Sequence, residues 1–174
     1  SYLLGTVMTA WFVSKWFGQD LRAVNSGNLG ARNAGKTLGK GAFIVTALGD
    51  VGKGIVVVVA GRLLHLDEVV VAIGLLAVVC GHLFPFWLKG RGGKGVATVL
   101  GAMLIFSWQA SVVFVVSFCI ALLVRRSATL AFIAGLVFYN VAIAFWQLEG
   151  WLFVTVAIWL VIWKHRRNIS ERVR

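Results

Sequence analysis

Seven apolar runs, at about residues 1–17, 41–60, 69–84, 96–106, 109–124, 128–146 and 151–163, are separated by polar breaks. With 60% hydrophobic residues and a mean hydropathy of +0.90, a soluble domain of 174 residues has too little interior to hide them. The solvent for most of the chain is therefore lipid, where backbone polar groups need partners within the segment and apolar runs become helices. The expected fold class is all-α: a polytopic integral membrane protein with about seven transmembrane helices, some short, and long glycine-rich cytoplasmic loops. Residues 1–174 are expected to form one transmembrane domain. Several runs are shorter than the ~20 residues that cross ~30 Å of hydrocarbon, so those helices extend into their loops or sit in thinned bilayer. Ser1 opens almost directly on an apolar run without the charged region of a secretory signal, so that run is expected to be a retained span.

Seventeen Lys and Arg against six acids give a formal charge of +11, which on an apolar chain implies positive-inside topology and attraction to anionic lipid or substrate. No nucleic-acid module is visible. Charge also decides whether Ser107-Trp108-Gln109 separates two spans. With the break, Lys15, Arg22, Arg32, Lys36, Lys40, Lys89, Arg91, Lys94, Arg125, Arg126, Lys164, Arg166, Arg167, Arg172 and Arg174 share one side. Arg62 alone lies opposite, and Lys53 falls within a helix. Merging 96–124 into one span sends seven of those cations across and equalises the sides, so the hairpin is expected, with loops 18–40, 85–95, 125–127 and 164–174 cytoplasmic. Trp16, Trp108, Trp146, Trp151 and Trp163 fall at predicted span ends, where amphipathic rings favour the interface. Cys80 and Cys119 lie in apolar runs without Cys or His partners at ligand spacing, so neither a disulfide nor a metal site is expected.

The loop Lys89 to Gly95 packs three cations and four glycines between two apolar runs, a composition suited to phosphate. Its glycines let main-chain N–H groups converge, and a helix starting at Val96 adds its positive dipole end. Gly30 to Thr37 satisfies a nucleotide phosphate-loop pattern, but polar residues precede it instead of a buried strand. Gly90, Gly92 and Gly95 fit a dinucleotide fingerprint, yet no carboxylate occurs at 110–118. Both nucleotide readings fail on context, although the first segment still offers glycines, amides and cations to a phosphate. The other reading of that segment is a helix start capped by Ser26 or Asn28. Asp50 and Lys53 share one face of the second span, either as a functional pair or as an internal salt bridge. His165 and Asn168 share a face where the last span leaves the membrane. No serine-nucleophile elbow and no zinc-protease helix motif is present.

Ser26-Gly-Asn-x-Gly-Ala-x-Asn33, Asp50-x-x-Lys-Gly54, Gly81-His-x-x-Pro85 with Gly92-Gly-Lys-Gly-Val-Ala-Thr98, and His165-x-x-Asn-Ile169 occur in order. In this the chain resembles the integral-membrane glycerol-3-phosphate acyltransferases of bacterial PlsY type, which use acyl phosphate as donor. The resemblance spans nearly the whole chain. It departs where Arg32 replaces a usual Thr, Lys36 a usual Arg and Arg91 a usual Lys.

The resemblance implies acyl transfer from acyl phosphate to the 1-hydroxyl of glycerol 3-phosphate, giving lysophosphatidic acid and phosphate. It implies a bacterial inner-membrane enzyme, its site facing the cytoplasm, with membrane lipids around it and no cofactor or metal. Ser26, Lys94, His165 and Asn168 are the expected catalytic residues. Gly27, Asn28, Arg32, Asn33, Lys36, Lys53, His82, Gly92, Gly93 and Gly95 are the expected substrate-binding ones, His82 being either structural or a proton carrier. Basic vestibules and a buried ion pair also suit a transporter or channel for a phosphorylated anion, and a divergent non-catalytic paralogue is the third reading. For the topology, a cysteine placed at Gln109 is expected to react with an impermeant reagent from the extracytoplasmic side; labelling only from the cytoplasm would overturn the hairpin.

Overall fold

In a computed structural model, the structure describes residues 1–166. These residues form helices α1 (Tyr2–Thr6), α2 (Thr9–Trp16), α3 (Ala31–Leu38), α4 (Lys40–Leu63), α5 (Glu68–Leu83), α6 (Val96–Phe106), α7 (Trp108–Arg125), α8 (Ala128–Phe145) and α9 (Trp151–Lys164). A 3-10 turn, Phe86–Leu88, follows α5. Each apolar run is helical, and α3 adds a short polar helix between the first two runs. Among the described residues, four helical stretches are long and apolar enough to cross a membrane: α4, α5 with its 3-10 turn, α7 and α8. The helices α6 and α9, at 11 and 14 residues, are shorter.

Glycines set the closest approaches. A Cβ on Gly54 of α4 would overlap the Thr98 carbonyl of α6, and one on Gly101 of α6 would overlap the Val51 carbonyl of α4. Gly5 of α1 and Gly81 of α5 exclude side chains in the same reciprocal way. Lipid gives helices no hydrophobic reason to associate, so backbone-to-backbone packing at small residues takes over that task.

The contacts define two ends of the bundle. At one, Arg62 donates to the Ile105 and Phe106 carbonyls at 2.6 and 2.9 Å and pairs with Glu68 at 2.8 Å, while Gly150 packs against Glu68. That guanidinium satisfies carbonyls left open where the short α6 stops. At the other end, His165 stacks near Phe132, Lys164 lies over Phe84, and Gly95 meets Leu83 and Val161. The chain therefore reverses at Ser107, whose hydroxyl caps α7 by accepting the Ala110 N–H. Among the described residues, the loop cations gather at the His165 end and Arg62 lies at the opposite one. The five tryptophans stand at or beside helix ends, as the sequence implies.

The first apolar run departs from expectation. In place of one continuous helix, extended backbone at Val7 and Met8 separates α1 from α2. Three successive carbonyls at this break find side-chain donors: Lys53 bonds Gly5 at 3.2 Å and Val7 at 3.0 Å, and the Trp87 indole bonds Thr6 at 3.0 Å. Lys53 also pairs with Asp50 at 3.0 Å, both side chains almost wholly buried. Lys53→Met removes the cap and strands a buried carboxylate, so unfolding in detergent is expected to become easier by about 3–5 kcal/mol, with Asp50→Leu added to it recovering part of the loss. A single-variant loss below about 1 kcal/mol would show that the pair does not hold the break.

Candidate functional site

Two polar loops meet at the His165 end. The first, residues 17–30, is pinned by Leu21 and Leu29, which are buried with Met8, Ala10, Ala34, Ala42 and Leu88. Asn33 holds it from inside: its buried amide donates to the carbonyls of Leu21, Asn28 and, more weakly, Val24, at 2.8, 3.0 and 3.4 Å. The turn between uses left-handed backbone at Asn25 and Gly27, φ +49 and +64. It leaves Ser26 exposed and Asn28 half-buried. Asp20 and Arg22 close the outer side of the loop as an exposed pair, the guanidinium holding the Asp20 carboxyl down at a pKa of about 2.

The expected cap at Ser26 or Asn28 is not formed. Helix α3 starts after Gly30 with no side-chain cap. Asn28 is occupied within the loop, its carbonyl accepting from Asn33 and Gly30. Arg32 and Lys36 stand one turn apart on the exposed side of α3.

The second loop begins where Pro85 stops α5. Lys89 and Gly90 take left-handed backbone, and Gly95, at φ +81, opens α6 at Val96 without a side-chain cap. At Gly92 a Cβ would collide with the His82 carbonyl, and at Gly93 with His82 Nε2. A Cβ on Gly93 would also sit 2.9 Å from the Leu29 carbonyl, which places the two loops in contact. Two helix N-termini without side-chain caps thus flank one region; Arg32 follows one of them within its first turn, and Lys94 precedes the other and lies near His165.

His165, just past α9, is buried. Its Nδ1 lies 2.8 Å from the Val161 carbonyl, an acceptor, so Nδ1 carries the proton and Nε2 keeps its lone pair. Burial first, and then the nearby Lys94 ammonium, push its pKa below the usual histidine value, with the Val161 bond partly opposing them. The ring is thereby kept neutral, able to accept a hydroxyl proton in a hydrogen bond. Asn168 lies outside the described residues.

Other expected ligands have different surroundings. The Lys53 ammonium has three protein acceptors at the helix break, so its N–H groups are turned away from a phosphate and toward Asp50, Gly5 and Val7. Asn33 braces its loop, and His82 is buried beneath Gly93. Three contributors escaped the sequence reading. Thr9, whose hydroxyl donates to Asp50 at 3.4 Å, is a small hydroxyl within an apolar run and sends no periodic signal. Trp87 carries no motif or spacing that marks its indole as a donor to Thr6, and the Leu29 carbonyl is a main-chain group.

A family model described as glycerol-3-phosphate acyltransferase matches residues 1–174. A Bacillus cereus protein named glycerol-3-phosphate acyltransferase 1 is 44% identical over 130 residues, covering 74% of this chain and 71% of that protein. Glycerol-3-phosphate acyltransferase of Pseudomonas aeruginosa is 39% identical over 173 residues, 98% of this chain and 91% of that one. The crystal structure of PlsY (YgiH), an integral membrane glycerol 3-phosphate acyltransferase, in its glycerol 3-phosphate form, superposes with a TM-score of 0.87 at 30% identity, covering 99% and 88% of the two chains. Its lysophosphatidic acid form gives 0.85 at 28% identity, covering 99% and 87%. With matches that run the length of the chain in both sequence and backbone, this protein belongs to the glycerol-3-phosphate acyltransferase family.

Proposed function

We propose that this protein transfers a fatty acyl group from acyl phosphate to the 1-hydroxyl of glycerol 3-phosphate, at a site facing the cytoplasm from a bacterial inner membrane. The observation that carries the reading is the junction at Leu29 and Gly93: two helix N-termini without side-chain caps meet there, and Lys94 lies near the neutral His165 imidazole. Such a region suits two mutually repelling phosphates brought side by side. Ser26, Gly27, Asn28, Arg32 and Lys36 hold one, with Asn33 keeping their loop in shape. Lys94 and the amides of Gly92, Gly93 and Gly95 hold the other.

Acyl phosphate is already an activated mixed anhydride, so the protein's work is positioning and charge stabilisation. His165 Nε2 accepts a hydrogen bond from the substrate hydroxyl and, with Asn168, orients its oxygen toward the acyl carbon. That oxygen forms the new ester bond while the carbonyl carbon's bond to the phosphate oxygen breaks. The hydroxyl proton passes to a phosphate oxygen of the donor, which leaves as inorganic phosphate, and the products balance as lysophosphatidic acid plus phosphate. The acyl tail lies among the spans within the bilayer.

Reconstituted protein given palmitoyl phosphate and labelled glycerol 3-phosphate is expected to form labelled lysophosphatidate. Label trapped inside vesicles without new product would mean a carrier, and neither outcome would mean a non-catalytic protein. Lys94→Ala is expected to abolish product formation with the unfolding midpoint unchanged; near-normal turnover in that variant would remove the glycine loop from the site.

A further inference from the structure

His82 occupies the last turn of α5, almost wholly buried, and the chemistry above makes no use of it. Its carbonyl accepts the Gly93 N–H at 3.1 Å, and its ring presses so closely on Gly93 that a side chain there would strike Nε2. The other ring nitrogen, Nδ1, faces the Asp50 carboxylate at 3.7 Å and has no hydrogen-bond partner among the described residues. Asp50 is fixed from two further sides, by the Lys53 ammonium at 3.0 Å and the Thr9 hydroxyl at 3.4 Å. Lys53 is in turn tied to the carbonyls of the α1–α2 break. A chain of contacts therefore runs from that break through α4 to the underside of the glycine loop.

The ring is wedged between an anchored carboxylate and a backbone that cannot move closer. A carboxylate facing Nδ1 favours the tautomer protonated there, which turns the Nε2 lone pair toward the loop. Because Gly93 rests on the ring, the position of the ring sets where the neighbouring N–H groups point.

We propose that His82 is a positioning residue for the Gly92 to Gly95 loop, held by Asp50 from inside the bundle so that the loop's amides and Lys94 converge on phosphate. The proposal rests on the reading of that loop as a phosphate site. Reconstituted His82→Ala is expected to raise KM for one of the two anionic substrates by about tenfold or more and leave the other within about twofold, the pattern of a lost binding contact and not of a smaller active fraction. His82→Gln, whose amide reaches the Nε2 position, is expected to restore that KM to within about threefold of the wild type, whereas His82→Asn, which reaches only the Nδ1 position, does not. If His82→Ala fails to fold in detergent, the contrast between the Gln and Asn variants carries the same test. A fall in kcat with both KM values unchanged, or Gln and Asn variants that behave alike, would overturn the proposal. With Lys94→Ala inactive, that outcome counts against His82 alone; with Lys94→Ala active, the loop's role as a phosphate site falls and the proposal with it.

Discussion

The ion pair between Lys53 and Asp50 is the interaction on which the surrounding architecture depends. A helix interrupted in the middle of a hydrophobic layer exposes carbonyls that lipid cannot satisfy, each costing several kcal/mol if left bare. Lys53 supplies the donors for two of them and Trp87 for a third. A lone ammonium at that depth would itself be too costly, and Asp50 removes the imbalance. The break and the pair thus require each other. Their joint consequence is that α1 lies along α5 while α2 lies along the first half of α4, leaving room at one end for the loop that carries Ser26.

That end then concentrates positive charge. Cations on flexible loops at a bilayer surface would be largely screened by water and salt, but here they sit beside helix N-termini whose amides have no side-chain competitor. Gly30 and Gly95, the residues before α3 and α6, place no side chain between those amides and a phosphate oxygen. His165 fits the same surroundings. Burial first, and the Lys94 ammonium after it, make this imidazole give up its proton more readily, and a neutral ring with its Nε2 lone pair available suits a hydroxyl substrate better than a charged one.

The sequence discloses the helices and their reversal at Ser107 because both follow from quantities that sum along the chain: apolar length and the side-to-side balance of cations. It does not disclose the break at Val7, since neither Val7 nor Met8 is a helix breaker and the cause lies in Lys53, forty-six residues away from Val7. The same distinction runs through the site. Gly93 and Gly95 are legible as loop glycines, whereas the reason Gly93 tolerates no side chain is the His82 ring, which only the packing of α5 brings under it. Asn33 reads as a ligand because an amide among glycines and cations suggests one. Folding turns it inward, where three carbonyls of its own loop accept from it.

The departures from the family pattern can be weighed on this geometry. A guanidinium grips phosphate through two parallel N–H bonds, which the lysine at position 36 cannot imitate. Arg32 lies one helical turn earlier on the same exposed face of α3, two residues past Gly30, and so nearer the uncapped amides than Lys36 is. An arginine placed there meets an anion at the helix terminus with less reach, while Lys36 adds a point charge from further along. The two departures together put a planar fork near the dipole's positive end and raise the charge of the helix face by one, since Arg32 stands where the family pattern has a neutral Thr and Lys36 keeps the charge of the Arg it replaces, so the face still favours an anion.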